Sequence, residues 1–217
     1  MRFKYIIPLL LFCTCFSITP GIAQVRIGPS LGFNISKFSD PVSTGEYVDV
    51  RRIESVNALK AGCMLEYAPG LKLSLQTGLF YSGMGSDFDL FYRDYGETRR
   101  FKVRLNYISI PLEGHYALKN GSSKISVYTG LDFNILAIAT EGGFEDSESF
   151  SRFDPMIKLG GQIILTPGIG FRIDYGFGTS NVFKPVSWDK DEISGLENKN
   201  RTIGVSILWL FGGAGVI

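Results

Sequence analysis

Few residues in this chain have chemistry to offer. The only histidine, His115, lies two positions from Glu113, and an imidazole beside a carboxylate is the start of a proton relay or half of a catalytic dyad. No serine or cysteine has an evident place beside the pair to complete a nucleophilic site. The residue types therefore point to a hydrogen-bonded network, and no enzymatic activity is expected. Glu141, Glu145, Asp146 and Glu148 crowd one acidic stretch and offer hard oxygen ligands. Their spacing lacks the alternating ligands and turn glycine of a calcium loop, so a solvated face is expected, with no metal or other cofactor. The remaining candidates are dispersed: Lys60, Glu66, Lys72, Gln76, Asp132, Asn134, Lys158, Arg172 and Asp174. They matter only if the fold gathers them.

The element that shows how they could be gathered is Ile169 to Gly178, in which large apolar residues alternate with glycine or charge. This is the period of a strand with two unlike faces. Ile169, Phe171, Ile173, Tyr175 and Phe177 share one face; Gly170, Arg172, Asp174, Gly176 and Gly178 share the other. A solvent face rich in glycine would weaken the strand for no return. A narrow closed barrel has a different requirement: lipid takes the apolar face, and the lumen has room for glycines and a few paired charges.

Other segments repeat the inside-out pattern. Val25 to Ile35 carries it, with Pro29 in the apolar phase predicting a bulge or a missing ladder bond. Leu59 to Tyr67 and Leu71 to Tyr81 follow, joined by Ala68-Pro-Gly70, and a tight turn there predicts Glu66 opposite Lys72. Tyr107 to Tyr116 directs Ser109, Glu113 and His115 inward, and Ile125 to Ile135 directs Tyr128, Asp132 and Asn134 inward. Met156 to Leu165 sends Lys158 and Gln162 inward, with Arg172 predicted across from Gln162 and Asp174 diagonal to Lys158. Ile203 to Phe211 completes the series. The apolar phase changes parity at Ser82 to Asp87 and again between Leu105 and Ile108, which predicts two bulges flanking a hairpin, Phe88 to Val103, that extends beyond the membrane.

These segments make eight strands, with short turns after the second, fourth and sixth and long connections, such as Lys37 to Ser55 and Ser180 to Asn200, after the others. That asymmetry belongs to outer-membrane barrels. Tyr67, Tyr116, Phe171, Trp209 and Phe211 gather at the short-turn end as an aromatic girdle. The expected fold is all-β: an eight-stranded antiparallel up-and-down transmembrane barrel with a polar, plugged lumen. Residues 1–23 read as a cleaved signal peptide, with Arg2 and Lys4 before an apolar run and small residues at its end, leaving 24–217 as the barrel domain. Cleavage removes Cys13 and Cys15, so Cys63 remains without an intramolecular partner. A formal net charge of +1 argues against a nucleic-acid partner.

At Leu105-Asn-Tyr-Ile-Ser-Ile-Pro-Leu112, Ile27-Gly-Pro-Ser-Leu-Gly-Phe-Asn-Ile35 and Asp174-Tyr-Gly-Phe-Gly-Thr-Ser-Asn181, the chain resembles the PorT-like outer-membrane β-barrel family. The resemblance covers nearly all of the mature chain. It implies an eight-stranded barrel in the outer membrane of a Gram-negative bacterium, and one family member is linked to type IX protein secretion. The chain departs from the usual aromatic end of such barrels, because Gly212 to Ile217 follow Phe211.

The inward charges are expected to pair and plug the lumen, since unpaired buried charge is costly. Function is then expected through contact. Phe88, Leu90, Phe91, Tyr92 and Tyr95 on the protruding hairpin are the candidate docking residues for a protein partner in the envelope, because an exposed ribbon can accept a partner strand. The expectation is a monomeric, non-enzymatic barrel in outer-membrane lipid, structural or accessory, with its mature termini in the periplasm and a link to secretion. The alternative is a narrow, porin-like barrel that binds or passes a small solute.

Overall fold

Alternation dictates strands, and strands that face lipid must close on themselves, because an unpaired backbone edge in hydrocarbon costs several kcal/mol per group, on the order of 2–7. The computed structural model, which describes residues 24–39, 48–142, 144–145, 150–165, 168–183 and 198–212, meets that demand. Its strands are β1 (Gln24–Phe38), β2 (Val48–Ala68), β3 (Leu73–Tyr92), β4 (Glu97–Lys119), β5 (Ser123–Glu141), β6 (Phe144–Glu145), β7 (Phe153–Leu165), β8 (Ile169–Gly178) and β9 (Asn200–Trp209). Sequential neighbours pair antiparallel, and β1 with β9 closes the ring. Eight strands form the barrel, while the two-residue β6 only extends the end of β5. The segment read as a signal peptide, Asp146 and Glu148 lie outside the described residues.

The two faces fall as the alternation requires. Ile27, Phe33, Leu65, Leu79, Ile110, Leu131, Leu159, Ile173 and Ile207 are exposed on the outer wall, and Tyr116, Phe171, Trp209 and Phe211 are exposed near the short turns. Arg172 lies opposite Gln162, and Asp174 sits one step from Lys158 on the neighbouring strand.

Four expectations are corrected. First, the β2–β3 turn is longer than three residues: Glu66 faces Gln76 and Tyr67 faces Leu75. Lys72 therefore sits in the turn and is exposed, not inward beside Glu66. Second, of the two alternatives for Pro29 only the bulge is corrected, since its pairing with Cys63 lies in an unbroken β1–β2 register, while the missing ladder bond is found. The missing donor falls on the other side, where pairing with β9 starts only at Ser30. Third, half of the predicted Lys37 to Ser55 loop is strand: residues 48–55 pair with Ser86 to Tyr92 and make the projecting ribbon three-stranded.

The fourth correction concerns the two phase changes. In β3 the even residues Ser74, Gln76, Phe80, Ser82, Met84, Ser86 and Leu90 are all buried, and in β4 the odd residues Val103, Leu105, Tyr107, Ser109, Glu113 and His115 are all buried. Neither strand changes face, and their mutual register is unbroken from Phe80 to Tyr92. The irregularities sit on the flanking strands, between Ser55 and Lys60 of β2 and opposite Asn106 and Tyr107 in β5. What changes along β3 and β4 is the chemistry of the lumen.

Candidate functional site

The lumen has two parts. Nearer the short turns lies an ionic network built from strands that are not all neighbours, with a small apolar cluster of Met64, Phe80, Ile164, Leu208 and Leu210 beside it. Arg26 of β1 and Lys124 of β5 each reach Glu66 of β2, at 2.7 Å in both cases. Lys60 of β2 reaches Asp174 of β8 across the barrel at 3.5 Å. Arg172 of β8 bonds Glu113 of β4 and lies 3.5 Å from Asp174 through Nε. Lys158 bonds Asp132 and lies 4.0 Å from Asp174. Every one of these carboxylates is almost wholly excluded from solvent and faces at least one cation, as the cost of burying charge demands.

His115 is part of this network. Its Nε2 lies 3.3 Å from Glu113, and its ring stacks on Tyr128 with centroids 4.5 Å apart. The Arg172 guanidinium lies 4.2 Å from the centre of the Tyr128 ring, a cation–π contact that partly replaces lost hydration. Tyr128 can lie flat here because its cross-strand neighbour is Gly160: a Cβ at that position would come within 2.4 Å of the phenol.

Above this network the inward residues turn apolar. Phe38, Met84, Val103, Leu105, Tyr107, Ala139, Met156, Phe150 and Val182 form one buried cluster, with Phe88, Leu136 and Phe183 packed against it. Phe150 and Phe183, from the connections after β5 and β8, pair as an isolated bridge and stack with centroids 5.1 Å apart. Phe183 also meets Phe38 edge-on at 5.7 Å. Phe150, Val182 and Phe183, from the ends of these connections, therefore add side chains to the apolar cluster.

A polar belt separates the two parts. Asn200 donates to Asp154 at 2.6 Å and lies 3.4 Å from the Tyr107 hydroxyl, Asn134 donates to the Asp154 carbonyl at 2.9 Å, and Asn34 donates to Ser82 at 2.9 Å.

Of the predicted lumen residues, Lys60, Glu66, Gln76, Glu113, His115, Asp132, Asn134, Lys158, Arg172 and Asp174 are all buried inside, and Lys72 alone is not. Sequence reasoning missed Arg26, Lys124, Asp154 and Asn200. Arg26 shares the inward parity of its expected strand, while Lys124, Asp154 and Asn200 lie one, two and three residues before the strands expected from Ile125, Met156 and Ile203. Extending those three strands on parity recovers them. Among the described residues no group of three or more His, Cys, Asp or Glu is placed to hold a metal.

The projecting ribbon places its five predicted docking residues differently. Leu90 is buried, and Phe88 packs inward on Phe38 and Phe101. Phe91 and Tyr92 are half-buried, with Arg99 5.6 Å from the Tyr92 ring, while Tyr95 at the tip is 79% exposed. The opposite face is charged: Arg104 bonds Asp87 at 2.5 Å, Arg100 bonds Asp87 at 3.3 Å and also Glu54, and Arg52 bonds Glu54 at 2.6 Å. This face lies beyond Tyr81 and Ile108, the last exposed apolar residues on the outer wall of β3 and β4. Burial works against the charged form of Asp87, but Arg104 and Arg100 outweigh it and hold the carboxyl below its usual range.

Among solved structures the chain is similar to Ail, the attachment invasion locus protein of Yersinia pestis, described in complex with the heparin analogue sucrose octasulfate (12% identity, 87% of this chain and 99% of that one, TM-score 0.45). It is also similar to Neisserial surface protein A (12% identity, 87% and 97% covered, TM-score 0.45). A third is the outer membrane protein OprG from Pseudomonas aeruginosa (10% identity, 88% and 95% covered, TM-score 0.44). No curated protein matches the chain by sequence. The family described as "Outer membrane protein beta-barrel domain" matches residues 20–184, about three quarters of the chain. The ring of eight antiparallel strands is a β-barrel, as that description states, and the chain belongs to the outer membrane protein beta-barrel domain family.

Proposed function

We propose that this outer-membrane barrel works by contact, as a structural or accessory component of the envelope, and neither catalyses nor conducts. The observation that carries the reading is the filled lumen. Buried ion pairs occupy the half nearer the short turns, and an apolar cluster that includes Phe150, Val182 and Phe183 occupies the other. An eight-stranded ring is just wide enough for side chains. The long connections, the ribbon and Tyr95 then face outside the cell, while the short turns and the mature termini, beginning near Gln24 after removal of a signal peptide, face the periplasm. The partner is an envelope protein that meets the ribbon tip and its charged face, and the barrel itself is monomeric. Resemblance to PorT-like barrels supports a place beside a secretion apparatus.

Planar-bilayer recording tests the closed lumen: purified barrel should give no steady, ion-selective steps, and such steps would overturn the reading. Gentle detergent extraction with a tag in the Ser180 to Asn200 loop tests the accessory role. A stoichiometric envelope protein should co-purify, and recovery of the barrel alone would count against it.

A second reading, a barrel that holds a small polar solute, is favoured by one observation. The side-chain amides of Gln76 and Gln162, Ser126 Oγ and His115 Nδ1 are buried and make no hydrogen bond within the protein. They line one level of the lumen near the short turns, on β3, β7, β5 and β4. Saturable binding of a small polar solute, lost in Gln76→Leu with Gln162→Leu, would establish that reading over the first.

A further inference from the structure

At the long-loop end of the β1–β9 seam the outer wall changes character within one rung. Ile203 is exposed and Ile35 half-exposed in the apolar phase; the next outward residues are Lys37 and Arg201, both exposed, and they stand directly opposite each other. One step further, the Ser39 amide donates to the Lys199 carbonyl at 2.7 Å, and the Lys199 amide donates to Ser39 Oγ at 3.0 Å. Ser39 and Lys199 thus continue the rung pattern on the same outward face. Side chains opposite each other in such a ladder have Cβ atoms about 4.5–5.5 Å apart, and like charges so placed destabilise the pairing. Successive outward residues along a strand lie roughly 7 Å apart. Three cations and a hydroxyl therefore share a patch about two rungs deep.

Nothing in the protein neutralises this patch among the described residues. Lys37, Lys199 and Arg201 make no salt bridge there, in contrast with Arg52, Arg100 and Arg104 on the ribbon, each of which has a carboxylate partner. The cations stand immediately beyond an apolar wall, which is the height of the headgroups of the lipid that wall faces. Anionic headgroups attract such residues by about 1 kcal/mol per Lys or Arg, roughly a factor of five in affinity each. A phosphate monoester has the charge and the acceptor oxygens to bridge an opposed Lys and Arg.

We propose that Lys37, Lys199 and Arg201 form a binding site on the barrel's outer wall for the phosphate of an outer-leaflet phosphoglycolipid. The site offsets the repulsion between Lys37 and Arg201 and fixes the height of the barrel in the leaflet at the β1–β9 closure. It is independent of the ribbon and of the lumen, so it stands whether or not the contact reading is correct.

The test uses the full mature barrel in phosphatidylcholine nanodiscs doped with bis-phosphorylated lipid A or with its dephosphorylated form. Fluorescence transfer from the native tryptophans to labelled lipid A reads binding. Wild type should enrich the phosphorylated lipid, and Lys37→Ala/Lys199→Ala/Arg201→Ala should bind it roughly 100-fold more weakly, at about a factor of five per cation. Arg201→Lys should keep most of the binding, and heat-modifiable migration of each variant confirms that the barrel is folded. Equal binding by the triple variant, or equal enrichment of the dephosphorylated lipid, would overturn the proposal. So would displacement of the lipid by millimolar inorganic phosphate, because the site would then be a general anion site and not a lipid site.

Discussion

The two halves of the lumen share one backbone and oppose each other in chemistry. In β4 the same odd phase delivers Glu113 and His115 to an ionic network and, a few residues on, Tyr107, Leu105 and Val103 to an apolar cluster. The ionic half is specified by pairing: each charge needs partners on particular strands, some across the barrel, so it pins which strands may face each other. The apolar half is specified by volume and tolerates any residue that fills it. The first makes the barrel particular, and the second makes it closed.

Breaking the ionic half should be the more damaging. Arg172→Ala leaves Glu113 and Asp174 each short of a cation, and is expected to destabilise the barrel by about 3–5 kcal/mol, read as loss of the compact unboiled band at lower urea. Leu105→Ala in the apolar half removes buried methyl groups but leaves no charge without a partner, so about 2–3 kcal/mol is expected by the same measurement. If the order were reversed, the division between pairing and volume would fail.

Smaller changes sharpen the comparison. Gly160→Ala adds only a methyl group but must displace the Tyr128 phenol from its place between His115 and Arg172, at a cost of about 1–3 kcal/mol. Pairing it with Tyr128→Leu should recover part of the loss. Tyr107→Phe removes the hydroxyl beside Asn200 at the border of the two halves while keeping the ring, and should cost about 1 kcal/mol.

The smallest effect lies outside the wall. Arg104 and Arg100 hold Asp87 below its ordinary pKa of 3.8, so the stabilisation it lends the ribbon is complete above that value and is lost as pH falls below it. Hydrogen exchange in residues 88–103 should rise at low pH in wild type, and Asp87→Asn should show the faster exchange already at neutral pH. The barrel strands should not respond in step.

Much of this was legible beforehand, because a closed membrane barrel writes itself as parity. Each strand's outward set, the short and long connections, the girdle at Tyr116, Phe171 and Trp209 and the Lys158–Asp174 diagonal all follow from a period of two and local register. The failures share a physical origin. Parity says which face a residue joins but not what fills that face, so an apolar lumen at Phe88, Val103 and Leu105 looked like a change of face. Proline and glycine at 69 and 70 mark a turn without stating its length, and a register four residues further along β3 moved Lys72 out of the lumen.

The amino-acid sequence by itself therefore determined that the chain is a transmembrane barrel and which side of the wall nearly every residue occupies, because alternation is a local property of successive residues. Only the tertiary structure decided which charges meet. Lys60 with Asp174, Lys124 with Glu66, and Arg172 with Glu113 join strands that are not neighbours in the ring. Such contacts depend on the curvature and stagger of the closed sheet, which no single strand encodes.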